Sequence, residues 1–222
     1  MKPKILQMGA DNFGAGGRSV IAYNMTRPLT NDFQVDFLAT GKLKNPSFHR
    51  IIEENGGHVQ HVKEVSSKIK RLRSIYSILK KEKYDIVHIN ADDAIEGLFN
   101  IILSKLSGAK IVLHAHTTSS SRGEGFIGRL KMLSAKKIVN FLVDYKLACS
   151  LEAADYLYGD TDLSDVTIIK NGIIINDFLY NEELRQNVRE NLNIPMEAIV
   201  LGTVGRLSYP KNPEFMVSLI QT

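Results

Sequence analysis

Cysteine is almost missing from this chain. Among 222 residues only Cys149 carries a thiol, so no disulfide framework can form within it, and a reducing cytoplasm is the expected setting. No Cys/His pairs fall at metal-binding spacing. Long apolar runs are missing as well: stretches such as Ile111–Leu113 lie far below the roughly 20 residues a membrane-spanning helix needs. The apolar segment after Met1-Lys2-Pro3-Lys4 is soon closed by Asp11 and glycines, too short for a signal-peptide core. A soluble or peripheral protein is expected. Internal repeats and low-complexity stretches are absent, and no Gly-Lys-Ser/Thr follows a glycine loop, which excludes a Walker A phosphate site.

What is present suits a globular enzyme or binding module. Hydrophobic residues make up 44% and charged residues 23%, enough for a real core. The net charge of +4 is unevenly spread: between Lys63 and Lys83 eight basic residues face only Glu64 and Glu82. Such a run serves as a solvated helix face or meets nucleic acid, an anionic membrane or a phosphorylated substrate. Aromatic residues in it are limited to Tyr76, with Tyr84 just beyond, which counts against nucleic acid.

Short Val/Ile/Leu-rich runs alternate with helical periodicity. Strands are expected at Ile5–Met8, Val35–Ala39, Val59–Val62, Asp85–Ile89, Lys110–Ala115, Lys146–Cys149 and Val166–Ile169. Helices are expected near 17–30, 46–55, 67–82, 94–106, 127–143 and 151–158. This alternation predicts an α/β fold: a Rossmann-like parallel sheet with helices on both faces. After Asn171-Gly172 a charged helix from Asn181 to Asn193 precedes a strand expected at Ala198–Val204 and a helix starting at Pro213. A lone βα unit cannot bury its own faces. The expected organisation is therefore a domain over 1–175, a linker over 176–197, and the start of a truncated second domain over 198–222. Docking of that last unit on the first domain is the alternative.

Several residues could carry chemistry. Gly9 to Ser19 follows the first strand and opens a helix whose free N–H groups suit a phosphate. As a dinucleotide fingerprint it is incomplete, with Ser19 at the third glycine position and Asp36, inside the second strand, as the acidic partner. His88 is expected to close the fourth strand, and His114 and His116 share a face at the end of the fifth. Those histidines lie where open α/β sheets bind ligands; His88 is the third ligand a zinc site there would need. Ser150 is a plausible helix N-cap before Glu152, and Asn171-Gly172 suits an ordinary turn. In Gly205-Arg206-Leu207-Ser208-Tyr209-Pro210-Lys211-Asn212, two cations five residues apart could neutralise a diphosphate without a metal.

Taken in order, Gly16-Gly17, Asp85-Ile86-Val87-His88, His114-Ala115-His116, Ala148-Cys149-Ser150-Leu151-Glu152-Ala153-Ala154, Ile168-Ile169-Lys170-Asn171-Gly172-Ile173 and Val204-Gly205-Arg206-Leu207 with Lys211 resemble the family-4 retaining glycosyltransferases of the GT-B fold. The likeness is greatest to those of capsular or extracellular polysaccharide assembly. The resemblance implies an acceptor-side N-terminal half, with Gly16 and Gly17 against the donor diphosphate. His116 would be catalytic beside the transferred sugar, and Arg206 and Lys211 would hold the leaving group. Arg18, His88, His114, Thr117, Glu152 and Asn171 would be acceptor- or donor-side contacts. It further implies a UDP- or GDP-sugar donor, a glycan or lipid-linked acceptor, no metal or other cofactor, no nucleic acid, and basic surfaces (Lys63–Lys83 and Arg122–Lys137) facing an anionic membrane. One departure matters: the family's paired glutamates of the second domain do not appear. Glu182, Glu183 and Glu190 have similar spacing but precede the Gly-Arg segment, so weak donor binding and poor turnover are expected of this chain alone. A non-catalytic subunit of a two-chain transferase and a nicotinamide-dependent oxidoreductase are the competing readings.

Overall fold

The computed structural model describes residues 2–10, 16–40, 46–62, 67–120, 124–159, 162–205, 207 and 211–219. They fall into two compact units, Met1–Ile174 and Ile175–Thr222.

The first unit is built on one parallel sheet. Its strands are β1 (Lys4–Met8), β2 (Gln34–Thr40), β3 (Val59–Val62), β4 (Ile86–Ala91), β5 (Lys110–Ala115), β6 (Tyr145–Ala148) and β7 (Val166–Ile168). They lie in the order β3-β2-β1-β4-β5-β6-β7, and every pairing is parallel. The connecting helices are α1 (Gly17–Thr26), α2 (Pro46–Glu54), α3 (Lys68–Glu82), α4 (Ala94–Ser107), α5 (Gly125–Leu142) and α6 (Leu151–Tyr158). Right-handed crossovers put α1 and α2, which lead outward from β1 through β2 to β3, on one face. The reversed direction of growth puts α3 to α6 on the other. This is the Rossmann-like architecture the alternation predicts.

Strand alternation feeds two cores. Ile5, Val35 and Phe37 pack with Ala22, Phe48 and Ile52 beneath α1 and α2. Leu6, Ile89, Ile111 and Leu113 pack with Ile75, Ile101, Val139 and Leu157 beneath α3 to α6. Burial on both faces explains why β1 and β4 are buried along almost their whole length, polar Gln7, His88 and Asn90 included. Caps fix the helix starts: Ser67, Asp93 and Ser150 each accept from a backbone N–H in the first turn. The N-cap reading of Ser150 is therefore correct. Gly108 ends α4 in the left-handed region at φ 94°, a conformation glycine adopts without penalty.

Two expectations need correction. β4 continues to Ala91, so His88 lies in the body of the strand rather than closing it. The Ala198–Val204 segment forms no strand: it is irregular, with Ile199 91% exposed. A strand needs a neighbour to complete its hydrogen-bond ladder, and no described residue of the second unit supplies one. The second unit contains α7 (Glu182–Asn191), capped by Asn181, and α8 (Pro213–Ser218), capped by Asn212.

Candidate functional site at the carboxyl edge of the sheet

β1 and β4 are neighbours, yet α1 and α4 leave them toward opposite faces. This is the switch point of a doubly wound sheet, where the diverging connections open a crevice. Gly9 ends β1 at φ 74°, and a Cβ there would stand 1.9 Å from the Asn90 carbonyl oxygen. Close approach of two backbones thus demands glycine. Gly16 is the N-cap of α1, and its carbonyl accepts from the buried Ser19 hydroxyl at 2.8 Å. At Gly17 a Cβ would meet nothing within 4 Å.

A polar row runs along the sheet face from β1 through β4 to β5. The Asn90 amide nitrogen donates to the Met8 carbonyl at 3.1 Å. A backbone carbonyl can only accept, so this contact fixes the orientation of the amide. Asn90 then also donates to Gln7 Oε1 at 3.0 Å. Gln7 Nε2 is left to donate to His88 Nδ1 at 3.0 Å, which places the His88 proton on Nε2. On its other side Asn90 Oδ1 accepts from His116 Nε2 at 2.8 Å. The lone pair of His116 is therefore on Nδ1, which has no partner among the described residues. His88 and His114 stack with ring centroids 5.5 Å apart, and His114 lies 4.1 Å from His116.

Burial keeps these rings neutral. It pushes His88 and His114 down to about 3, each helped by the next imidazole in the row. His116 is held at about 4, by burial first and then by His88 and Arg18. The unfolded chain binds these protons near the ordinary value of about 6.5. Their contribution to stability is thus complete above that value and lost progressively as pH falls through it toward 3. For each fully buried imidazole the loss is about 1.4 kcal/mol per pH unit. His88 and His114 together are expected to cost roughly 2–3 kcal/mol between about pH 7.5 and 5.5. Urea titrations at the two pH values, with His88→Gln/His114→Asn flattening the dependence, check this.

Around the row the sheet edge is charged, and Arg18 is paired. Arg18 reaches Asp92 and Glu96, each at 3.4 Å. Glu96 also accepts from the Asp92 N–H at 2.8 Å. Buried Asp93 caps α4 and accepts from the Ser120 hydroxyl at 2.6 Å, tying the segment after β5 to α4. Beside Asn90 opens a cavity of about 360 Å³, lined by Gly9, Thr40, Lys68, Arg71, Asn90 and Glu96 among others. Neither Lys68 nor Arg71 has a carboxylate partner among the described residues. Asn90 thus contributes both to this cavity and to the histidine row.

Of the residues singled out in the sequence, the structure brings together Arg18, His88, His114 and His116, with Gly16 and Gly17 at the start of the same helix as Arg18. Thr117 follows His116, and its hydroxyl donates to the Ser119 carbonyl at 3.3 Å. Glu152 is exposed in the first turn of α6, and Asn171 is exposed beyond β7. Asn24 donates to the neighbouring Gly172 carbonyl at 3.4 Å, so the segment after β7 returns to α1. Lys211 is exposed in the second unit; Arg206 lies outside the described residues. Zinc does not suit the histidines, which stack instead of converging, and no three potential ligands gather among the described residues. Asp36 is also taken: it is fully buried and accepts from Tyr84 at 2.8 Å and the His58 N–H at 2.9 Å. That removes the acidic residue a dinucleotide reading requires. Gln7 and Asn90 escaped sequence reasoning. The spacing of Asn90 two residues beyond His88 is the one signal that could have exposed it.

A doubly wound sheet with a glycine start to α1 and an imidazole row at its switch point defines a Rossmann-like α/β domain. The sequence model of Glycosyltransferase Family 4 matches residues 15–177, and the chain belongs to that family. It is 24% identical over 211 residues to a Bacillus subtilis (strain 168) protein named as a glycosyltransferase, EpsF, covering 92% of this chain and 54% of the relative. It is 28% identical over 157 residues to the Escherichia coli UDP-Gal:alpha-D-GlcNAc-diphosphoundecaprenol alpha-1,3-galactosyltransferase, covering 65% of this chain and 38% of that one. The crystal structure of Anabaena Alr3699/HepE with UDP and glucose superimposes with a TM-score of 0.63 at 16% identity, over 86% of this chain and 50% of that one. A glycosyltransferase structure from Rickettsia africae gives a TM-score of 0.60. At such identity the structural likeness speaks for the fold alone. The chain spans about half the length of the relatives it matches.

Proposed function

We propose that this chain is the acceptor-side part of a retaining glycosyltransferase of surface polysaccharide assembly. It would move a sugar from a UDP- or GDP-sugar to a glycan or lipid-linked acceptor at the inner face of the membrane. The observation that carries the reading is the neutral imidazole of His116, its lone pair without a partner among the described residues, at the same sheet edge as the glycine start of α1. Gly16 and Gly17 let a donor diphosphate approach the free N–H groups of α1. His116 Nδ1 accepts a hydrogen bond from a hydroxyl of donor or acceptor and orients it, while the transferred sugar develops oxocarbenium character. The cavity bearing Lys68 and Arg71 suits an acceptor phosphate. Arg206 and Lys211 neutralise the diphosphate leaving group, and no metal takes part. The relatives' names support the donor and acceptor classes: one is a UDP-sugar enzyme with a diphosphoundecaprenol-linked substrate, and a structural neighbour holds UDP and glucose.

The test is transfer of labelled sugar from UDP- and GDP-sugars to a polyprenyl-diphosphate-linked glycan by a form of the enzyme that carries the second domain's paired glutamates, run with and without EDTA. Transfer with an unchanged anomeric configuration and no loss in EDTA is expected. An inverted product removes the retaining mechanism, and loss of transfer in EDTA removes the metal-free one.

A further inference from the structure

His116 is poorly fixed by its own place in the chain. It stands just past the end of β5, beyond the strand ladder, and its ring rests on His114 with centroids 4.1 Å apart and planes tilted by 32°. Such a contact is nearly blind to which nitrogen carries the proton and to a half-turn of the ring about Cβ–Cγ. Among the described residues one hydrogen bond breaks that symmetry, from His116 Nε2 to the Asn90 amide oxygen at 2.8 Å.

Asn90 is the opposite case. It is 1% exposed and lies inside the sheet, opposite His114 of β5. Both amide hydrogens are taken, by the Met8 carbonyl and by Gln7 Oε1. Turning the amide over would set its oxygen against the Met8 carbonyl, lone pair to lone pair. The main chain is held as well: the Asn90 carbonyl accepts from Arg18 Nη1 at 3.4 Å, and Gly9 packs directly against it.

We propose that Asn90 is the positioning residue for His116: its amide oxygen holds the ring in one orientation and in the tautomer protonated on Nε2, leaving Nδ1 as the one acceptor the ring can offer. The direction of the amide comes from the Met8 carbonyl, which can only accept. The main chain of β1 therefore dictates the tautomer of a ring two hydrogen bonds away. Chemistry also favours an amide over a carboxylate at this position. A carboxylate would hold the ring equally well but would draw a second proton onto it, and the acceptor would be lost. The inference deepens the reading of His116 as the group that orients a reacting hydroxyl, and rests on it for any effect on transfer. The tautomer itself is read without donor or acceptor, so the two can fail separately.

The experiment is nitrogen-15 NMR of the histidine rings in the intact chain at neutral pH, with His116→Gln identifying the His116 signals. Nε2 should be protonated, with a proton slow to exchange with water, and Nδ1 unprotonated. A proton on Nδ1 in the parent overturns the proposal. Asn90→Leu, close in size, should lose the Nε2 proton signal and shift both nitrogens toward the average of the two tautomers. Asn90→Asp should keep the Nε2 proton, since a carboxyl oxygen accepts from it whether or not the group is ionised. Gln7→Met removes hydrogen bonds of the same row without touching His116, and should leave the His116 signals in place. Signals unmoved by Asn90→Leu, or moved equally by Gln7→Met, overturn the proposal, because Asn90 would then merely fill the sheet. If Asn90→Leu does not fold, Asn90→Asp decides: loss of the Nε2 proton there overturns it too. In a transfer-competent form of the enzyme, Asn90→Leu should lower kcat about tenfold and leave the donor KM within about threefold. A loss confined to KM would make Asn90 a ligand contact and overturn the positioning role.

Discussion

Gly9→Ala is expected to prevent stable folding, at a cost above about 4 kcal/mol. Two penalties combine there. The residue sits at φ 74°, and its new Cβ would lie 1.9 Å from the Asn90 carbonyl oxygen, a backbone atom that cannot swing aside. To relieve the overlap, β1 and β4 would have to separate where their register places Met8 opposite Ile89. That separation also breaks the Asn90 to Met8 hydrogen bond. Gly108→Ala isolates the first penalty: φ is 94° but no atom lies within 4 Å of the added Cβ. That variant should lose only about 1 kcal/mol. Equilibrium denaturation of the pair, with soluble yield for Gly9→Ala, measures the difference. Similar costs at both positions would mean the Asn90 contact contributes nothing.

His116→Ala should lower sugar transfer by about 10²-fold or more in a form of the enzyme competent for transfer. Affinity for the nucleotide should stay within about threefold. The proposed role is orientation of a reacting hydroxyl, which matters most in the transition state and removes little ground-state binding. The ring is neutral down to about 4, so its protonation should produce no loss of rate between about pH 6 and 8. Single-turnover rates and separate nucleotide titrations distinguish the outcomes. Unchanged transfer removes the role, and a large loss of nucleotide binding with intact turnover would make His116 a donor contact instead.

The sheet was legible because each strand is a short Val/Ile/Leu run between helical stretches, and burial on both faces needs that composition. His114 and His116 were legible by alternation. What joins them was not: Gln7 and Asn90 become partners through the registers of β1, β4 and β5, which bring together residues more than 80 positions apart along the chain. His88 looked terminal because polar Asn90 resembles a strand end, although it is inside the sheet and satisfied there. The apolar run at Ala198–Val204 has strand composition but lacks a neighbouring strand among the described residues, and composition cannot supply one. On α5 the sequence displayed its phenylalanines without saying which way they face. That depends on where Met132 and Val139 meet the core.

His114 has no exposed surface, and neither ring nitrogen finds a hydrogen-bond partner among the described residues. An uncharged ring with no exposed surface lowers the permittivity beneath His116. Bulk water screens a charge by reorienting, and a buried imidazole does so far less. A partial charge that develops above that ring is felt by nearby dipoles at close to full strength. On the proposed reading, the α1 N–H groups and the His116 lone pair would then act with more force than the same groups in solvent.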